Sequence, residues 1–426
     1  MKTVLVMKAS MPNDAAPQHV TGRRKQRTIF LAGPSTPKGG GMFKVADYLV
    51  QWQALPPALN TAELRLLDTR GEGSALSSLW VLTQAVGKLL MCRLKGELAG
   101  VHVNVAERLS LFRKGVVIVA SRALGVPVVL HSHAAQLHHF YPTLPRPLQV
   151  LTRWVFALPK SCLVLGQVSR QFVIKQLGVP AQRVEIISNG VPEPTEIRRQ
   201  PGAGEVQRVL FVGNLSERKG VSDLLGALAL PSFNRRQVEV QIAGGGDVTG
   251  YQAQANAMGL SRWVHFSGWV GQPEVARLMA AADVLVLPSY DEGLPLVILE
   301  ALANGVAVVC SPVGEISTVL TDEVNAIFVQ AGNVHELSAG LQRVLRDPLL
   351  RQSLEQNGRL LYEQKFSLQR FFIEISRVHF QHFGVSARSR PCAYKNQAET
   401  TPQHDHACSL NTPVLSVADS SSAEAS

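Results

Sequence analysis

Two acids, Glu292 and Glu300, stand eight residues apart in the otherwise apolar stretch SYDEGLPLVILEALANG, residues 289–305. Gly293, Leu294, Pro295 and Leu296 predict the start of a helix that Gly305 ends, with proline at the first helical position, where its missing N–H costs nothing. The free amides and positive dipole end of such a helix attract anions. Glu292 then sits in the loop at the helix mouth, and Glu300 lies more than one turn inside, on its flank. An acid beside an anion site is electrostatically odd for a purely structural residue, and one that must meet hydroxyls near a phosphate accounts for it better.

Other residues become informative beside that pair. FVGNLSERKG, after an apolar run, supplies Arg218 and Lys219, a bidentate cation and a point charge suited to a diphosphate. Taken alone they read as a solvated loop. Three glycines at 39–41 open a helix after a strand, so the amides around Gly40 and Gly41 could meet an anion or a sugar hydroxyl, although such a turn alone is more often structural. Small residues before and within the turn at Gly268, Trp269 and Val270 leave room for a flat base, while a tight turn beside a packed Trp is the simpler reading. Four histidines crowd HSHAAQLHHFYP, namely His131, His133, His138 and His139. With no nearby Cys or acid pair, a metal is disfavoured there, and a single imidazole turned into a cleft toward a sugar is favoured. No Asp-x-Asp occurs anywhere, so the two-carboxylate ligand set for Mg²⁺ or Mn²⁺ on a nucleotide sugar is absent, which argues against metal dependence.

The elements that must hold these residues follow from periodicity. RTIFLAG, AELRLLDT, GVHVNVA, VPVVLHSHA, CLVLGQVS and VEIISNG are short β-branched runs separated by amphipathic stretches, the alternation of a parallel α/β sheet. The Pro/Gly/Arg-rich segment 191–207 interrupts them as a linker, and the pattern restarts with RVLFV, VEVQIA, residues 263–267, DVLVLP and VAVVC. Two doubly wound, Rossmann-like units facing a cleft are expected, with ligands outside the carboxyl ends of the strands. The expected organisation is a flexible extension over 1–26, an acceptor-side unit over 27–190, the linker, a nucleotide-sugar-binding unit over 208–365, a helix over 366–383 packing back on the first unit, and a disordered tail over 384–426, rich in Ser, Ala, Thr and Pro.

Composition narrows the class. The 426 residues are 46% hydrophobic and carry a net charge of +10, enough for two domains. Residues 1–200 carry 25 Lys/Arg against 10 Asp/Glu, and residues 201–426 carry 17 against 22. The basic first half therefore faces something anionic, or is a solvated surface with a basic arm at Arg23, Arg24, Lys25 and Arg27. Basic runs lack interleaved aromatics, which argues against nucleic acid. Five scattered cysteines without a C-x-x-C pair fit a reducing, cytoplasmic compartment. The apolar run at the start is too short for a signal peptide, and no stretch is long enough to span a membrane, so any membrane contact is expected to be peripheral.

Five segments in order carry a resemblance: the GGG loop, VPVVLHSHAAQLHHFYP, IISNGV, FVGNLSERKG and SYDEGLPLVILEALANGVAVVCSPVGEI. Together they resemble glycosyltransferase family 4, the retaining nucleotide-sugar transferases of GT-B fold, over residues 28–383, and look like bacterial enzymes of exopolysaccharide and lipopolysaccharide assembly. The resemblance implies a metal-independent retaining hexosyltransferase with no cofactor. Its donor would be a UDP- or GDP-linked sugar. The acceptor would be a saccharide on polyprenyl diphosphate at the inner face of the cytoplasmic membrane, with Lys88, Arg93, Lys95, Arg108, Arg113 and Lys114 near an anionic surface. Glu292 would contact donor hydroxyls and Glu300 the ribose; Arg218 and Lys219 would neutralise the diphosphate, helped by the amides of Gly293–Leu296. Gly268–Val270 would hold the base, His133 or less readily His131 would reach the sugar, and Gly40 and Gly41 the phosphates or acceptor. Asn214, where the family often has Arg, and Glu315, where it often has Gly, depart from the pattern. Alternatives are a transferase for a soluble acceptor, like sucrose or glycogen synthases, or an inactive sugar-nucleotide-binding protein.

Overall fold

The computed structural model describes residues 26–36, 40–55, 61–71, 73, 75–196, 198 and 206–390. Nearly all of the expected N-terminal extension, the arm residues Arg23–Lys25, Gly39, much of the linker and the tail beyond residue 390 lie outside the described residues.

The first half alternates β1 (Arg27–Gly33), α1 (Gly40–Trp52), β2 (Ala62–Asp68), α2 (Ala75–Leu94), β3 (Leu98–Val105), α3 (Leu109–Ala123) and β4 (Val128–Ser132). It continues through α4 (Leu137–Thr143), α5 (Arg146–Ala157), β5 (Ser161–Val164), α6 (Gln167–Lys175) and β6 (Val184–Ile186). The strands form one parallel sheet in the order β2-β1-β3-β4-β5-β6. All eight residues of β3 are buried, as expected where helices cover both faces of a parallel sheet.

The second half runs β7 (Gln207–Val212), α7 (Val221–Ala229), β8 (Val238–Ala243), α8 (Val248–Ala257), β9 (Val264–Gly268), α9 (Gln272–Ala281) and β10 (Val284–Leu287). Then come α10 (Leu296–Asn304), β11 (Ala307–Cys310), α11 (Ile316–Val319), β12 (Ile327–Phe328), α12 (Val334–Arg346) and α13 (Pro348–Leu361). Its parallel sheet has the order β12-β11-β10-β7-β8-β9. Two-residue β12 is too short to leave a sequence pattern, and no strand was expected there.

The last helix, α14 (Leu368–Phe383), returns to the first sheet and packs on α1, β3 and β4. Gly100 in β3 makes this docking possible, because a Cβ there would lie 2.4 Å from the Phe383 ring. Where the chain crosses between halves the two crossing segments bond: the Val191 amide donates to the Phe366 carbonyl and the Leu368 amide to that of Val191, both at 2.9 Å. Disorder was expected from residue 384, yet residues 386–390 are held: the amides of Ala54 and Ala62 donate to the carbonyls of Arg388 and Ser386, and the Arg390 amide to that of Trp52. Backbone bonding to an edge of the first half outweighs the polar composition of that short stretch.

Candidate active site

In the second sheet β7 lies between β8 and β10, so the chain leaves β7 toward one side and β10 toward the other. The loops after those strands diverge at this switch point and leave a crevice at their carboxyl ends. Gly213, Asn214, Arg218 and Lys219 of the first loop and Glu292–Pro295 of the second line it, which is why side chains more than 70 residues apart meet: Lys219 Nζ donates to Glu292 Oε1, and Arg218 Nη1 lies 3.8 Å from Glu292 Oε2. Arg218 also donates to the Asp291 carbonyl, and its own carbonyl accepts from the Tyr290 amide at 2.8 Å. The cations are thus fastened to the loop that feeds α10. Two glycines permit the close approach. A Cβ on Gly244 would fall 1.6 Å from the Gly213 carbonyl oxygen, and one on Gly314 1.8 Å from that of Glu292; both have positive φ.

A cleft of about 820 Å³ brings together most of the residues singled out from sequence. Glu292, Arg218, Lys219, Glu300, His133, Gly40, Gly41, Trp269, Val270 and the run Gly293, Leu294, Pro295 and Leu296 all line it. Gly268 does not; it ends β9 with φ +65 and its carbonyl accepts from the Gly244 amide at 2.8 Å, so Gly244 and Gly245 form the wall beside Trp269. Pro295 is extended (ψ 128) and precedes the helix, rather than occupying its first position as expected. Glu292 is 6% exposed, and the cations around it offset the cost of that burial.

Besides Lys44 and Asp47 of α1, the first half contributes neutral imidazole to the cleft. His133 borders the cleft and bonds through Nε2 to Asn104 Oδ1 at 3.2 Å. His131 is fully buried, ring against ring with His133 (centroids 4.2 Å apart) and with His102 (5.4 Å). His102 Nδ1 and His379 Nε2 of α14 then lie 2.8 Å apart. Burial pushes His133 down to about 3 and His102 to about 4, and holds His131 and His379 well below the usual imidazole value, so the row is uncharged at neutral pH. Of the two histidines considered for the sugar, only His133 faces the cleft.

Contacts between the halves were not legible in advance. Glu300 Oε1 accepts from Lys44 Nζ at 3.0 Å and from Tyr48 Oη at 3.3 Å, both on α1. Lys44 and Tyr48 are four apart on one helical face, the one sequence signal that they act together. Glu315 does not face the cleft. Fully buried, it accepts from the amides of Ser169 (2.7 Å) and Val168 (3.2 Å) at the start of α6, so the departure from glycine supplies a cap between the halves. Asn189 and Asn214 also border the cleft. Lys114, expected near a membrane face, is instead 1% exposed and donates to Thr69 Oγ1, with burial lowering it to about 7.

Residues 193–361 match the family described as Glycosyl transferases group 1. The chain is 30% identical over 235 residues to an uncharacterized glycosyltransferase of Methanocaldococcus jannaschii, covering 52% of this chain and 60% of that one. It is 26% identical over 270 residues to the glycogen synthase of Mycobacterium tuberculosis, covering 62% and 65%. With the lipopolysaccharide glucosyltransferase WaaG of Escherichia coli K12 it shares 32% over 176 residues, covering 40% and 46%. The chain thus spans less than two thirds of each of these relatives. Among solved structures, sucrose-phosphate synthase from Thermosynechococcus elongatus superposes with a TM-score of 0.67 at 18% identity, covering 84% of this chain and 99% of that one. HepE from Anabaena, in complex with UDP and glucose, gives 0.64 at 19%, covering 83% and 99%. At such identities the likeness speaks to the fold, two parallel-sheet α/β halves of GT-B type.

Proposed function

We propose that this chain, which carries a group 1 glycosyl transferase domain of GT-B type, moves a hexose from a nucleoside-diphosphate sugar to a saccharide acceptor with retention at the anomeric carbon. The observation that carries the reading is the cluster of Glu292, Lys219 and Arg218 at the mouth of α10, inside the cleft. A diphosphate entering there meets two cations and the dipole end of a helix, and a carboxylate stands beside it for sugar hydroxyls. As the anomeric carbon–oxygen bond breaks, charge grows on the leaving phosphate, where preorganised cations lower the barrier most. The acceptor hydroxyl attacks from the same face, its oxygen forms the new bond, and its proton passes to the departing phosphate oxygen. Trp269 and Val270 border the base, Glu300 the ribose, and neutral His133 the sugar. Gly40 and Gly41 face the phosphates or acceptor. No metal or cofactor is assigned a role in the transfer.

A lipid-linked acceptor at an anionic, cytoplasmic-side membrane surface is the partner we favour, for surface polysaccharide synthesis. Among the described residues, 11 of the 23 exposed large apolar side chains lie on α2, α3 and α5, including Trp80, Leu94, Leu109 and Trp154. Between them runs an apolar groove of about 350 Å³ floored by Phe112, Val116, Val119 and Leu151, with Lys88, Arg93, Arg108, Arg122 and Arg153 exposed on the same helices or at their ends. Apolar surface of this kind rimmed by cations suits anionic lipid, at about 1 kcal/mol per Lys or Arg near the surface. No helix among the described residues is long and apolar enough to cross a membrane. A soluble acceptor is the second reading, favoured by the similarity to glycogen synthase.

Two measurements separate these. One of UDP, GDP or their sugars should raise the melting temperature, since a ligand at 100 times its Kd adds about 2.7 kcal/mol, and the matching sugar should be transferred with retention; no stabilisation by any member would refute the donor reading. Flotation with vesicles should require anionic lipid, and flotation indifferent to it would favour the soluble acceptor.

A further inference from the structure

Outside the cleft, His138 and His139 on α4 of the first half approach Asp291 on the loop that precedes α10 of the second. One ligand atom from each lies within 4.8 Å of the others. The two imidazole rings lie tilted against each other with centroids 4.0 Å apart, and His139 Nε2 is 3.9 Å from Asp291 Oδ2, too far for a hydrogen bond. Asp291 is 8% exposed, and its Oδ2 is shielded from solvent with no hydrogen-bond partner among the described residues. An orphaned buried carboxylate oxygen is expensive unless a cation or donor completes it. Arg218 does not do so, because its guanidinium is given to the Asp291 carbonyl instead.

We propose that His138, His139 and Asp291 bind a divalent transition-metal ion of the zinc type, clasping α4 to the loop that carries Glu292. Two imidazole nitrogens and one carboxylate oxygen suit Zn²⁺, Co²⁺ or Ni²⁺, whereas Mg²⁺ and Ca²⁺ take oxygen ligands. Three protein ligands leave a fourth position for water. Ligands held at about 2.0–2.2 Å in a tetrahedron lie roughly 3.3 Å apart, so loading draws the three groups closer and tightens the two halves against each other. The ion is separate from the transfer chemistry, since none of the three residues lines the donor cleft.

The test uses the full chain, freed of metal with a chelator, titrated with Zn²⁺ by calorimetry and with Co²⁺ by visible absorption, beside His139→Ala and Asp291→Asn. Melting curves without metal verify that both variants fold. The wild type should bind one ion more than either variant, or bind it at least about tenfold more tightly, with a tetrahedral Co²⁺ spectrum that the variants lose. Zn²⁺ should raise the melting temperature of the wild type alone. Equal stoichiometry and affinity in all three proteins would overturn the proposal and assign the metal to other groups, such as His404 and His406. A wild type that takes up no Zn²⁺ would overturn it as well. Neither readout depends on turnover, so the site and the transferase reading fail separately.

Discussion

The two halves are both six-stranded parallel α/β sheets, but their strand orders differ and they fill the carboxyl ends of those sheets differently. At its switch point the second half gathers opposite charges, Glu292 against Lys219 and Arg218, on loops that meet a helix mouth. The first half, with α14 packed on it, buries a row of neutral imidazoles, His131, His102 and His379, behind His133, and holds a buried lysine, Lys114, against a hydroxyl. On the proposed function the charge at this mouth stands where a leaving group would acquire it, while the opposite wall adds neutral imidazole beside Lys44 and Asp47 of α1. That division teaches how two similar parallel sheets can, on the function proposed above, serve as a donor site and an acceptor side.

Breaking the charged half should have the largest effect. Glu292→Gln keeps the shape and removes the charge, and turnover should fall by about 10²–10³-fold with donor affinity changed far less; rates measured at saturating donor decide it, and wild-type turnover would remove Glu292 from the chemistry. An intermediate effect is expected in the neutral half. Lys114, lowered to about 7 by burial, binds fewer protons folded than unfolded between pH 7 and its ordinary value of 10.5. The cost of burying it is therefore largest near pH 7 and shrinks as pH rises through that window, so stability rises with pH there. Lys114→Met should flatten that slope and raise the melting temperature at pH 7 by about 2–4 °C; thermal unfolding across pH 7–10 measures both. The smallest effect belongs to the contact between halves. Lys44→Ala removes a partly exposed ion pair to Glu300, and the Kd for donor should rise about two- to fivefold, within the range of such pairs; titration calorimetry is sensitive enough to see it.

Legibility followed sequence distance. The strands were readable because a doubly wound sheet writes its buried runs locally, and β12 escaped because two residues have no period. Glu292, the α10 mouth, Arg218 and Lys219 were readable because each lies on a loop at a strand's carboxyl end, where the fold class itself gathers them. Pairings across the cleft were not. Lys44 and Glu300 are 256 residues apart, and Glu315 and Ser169 146; what joins them is the seating of one half on the other, which no local pattern encodes. The same blindness concealed Lys114, since a lysine on an amphipathic helix reads as exposed until Thr69 and the neighbouring elements close over it. Asp291 was overlooked beside Glu292 because its candidate partners, His138 and His139, belong to the other half.

The central claim is that the charges at the α10 mouth hold a diphosphate, and Lys219 tests it most directly. Calorimetric titration of the wild type and Lys219→Ala with the nucleoside diphosphate that stabilises the protein should give one site per chain. Its affinity should weaken by about 10–100-fold in the variant, the range of a charge-assisted hydrogen bond. Equal affinities in the two proteins would place the diphosphate elsewhere and contradict the account.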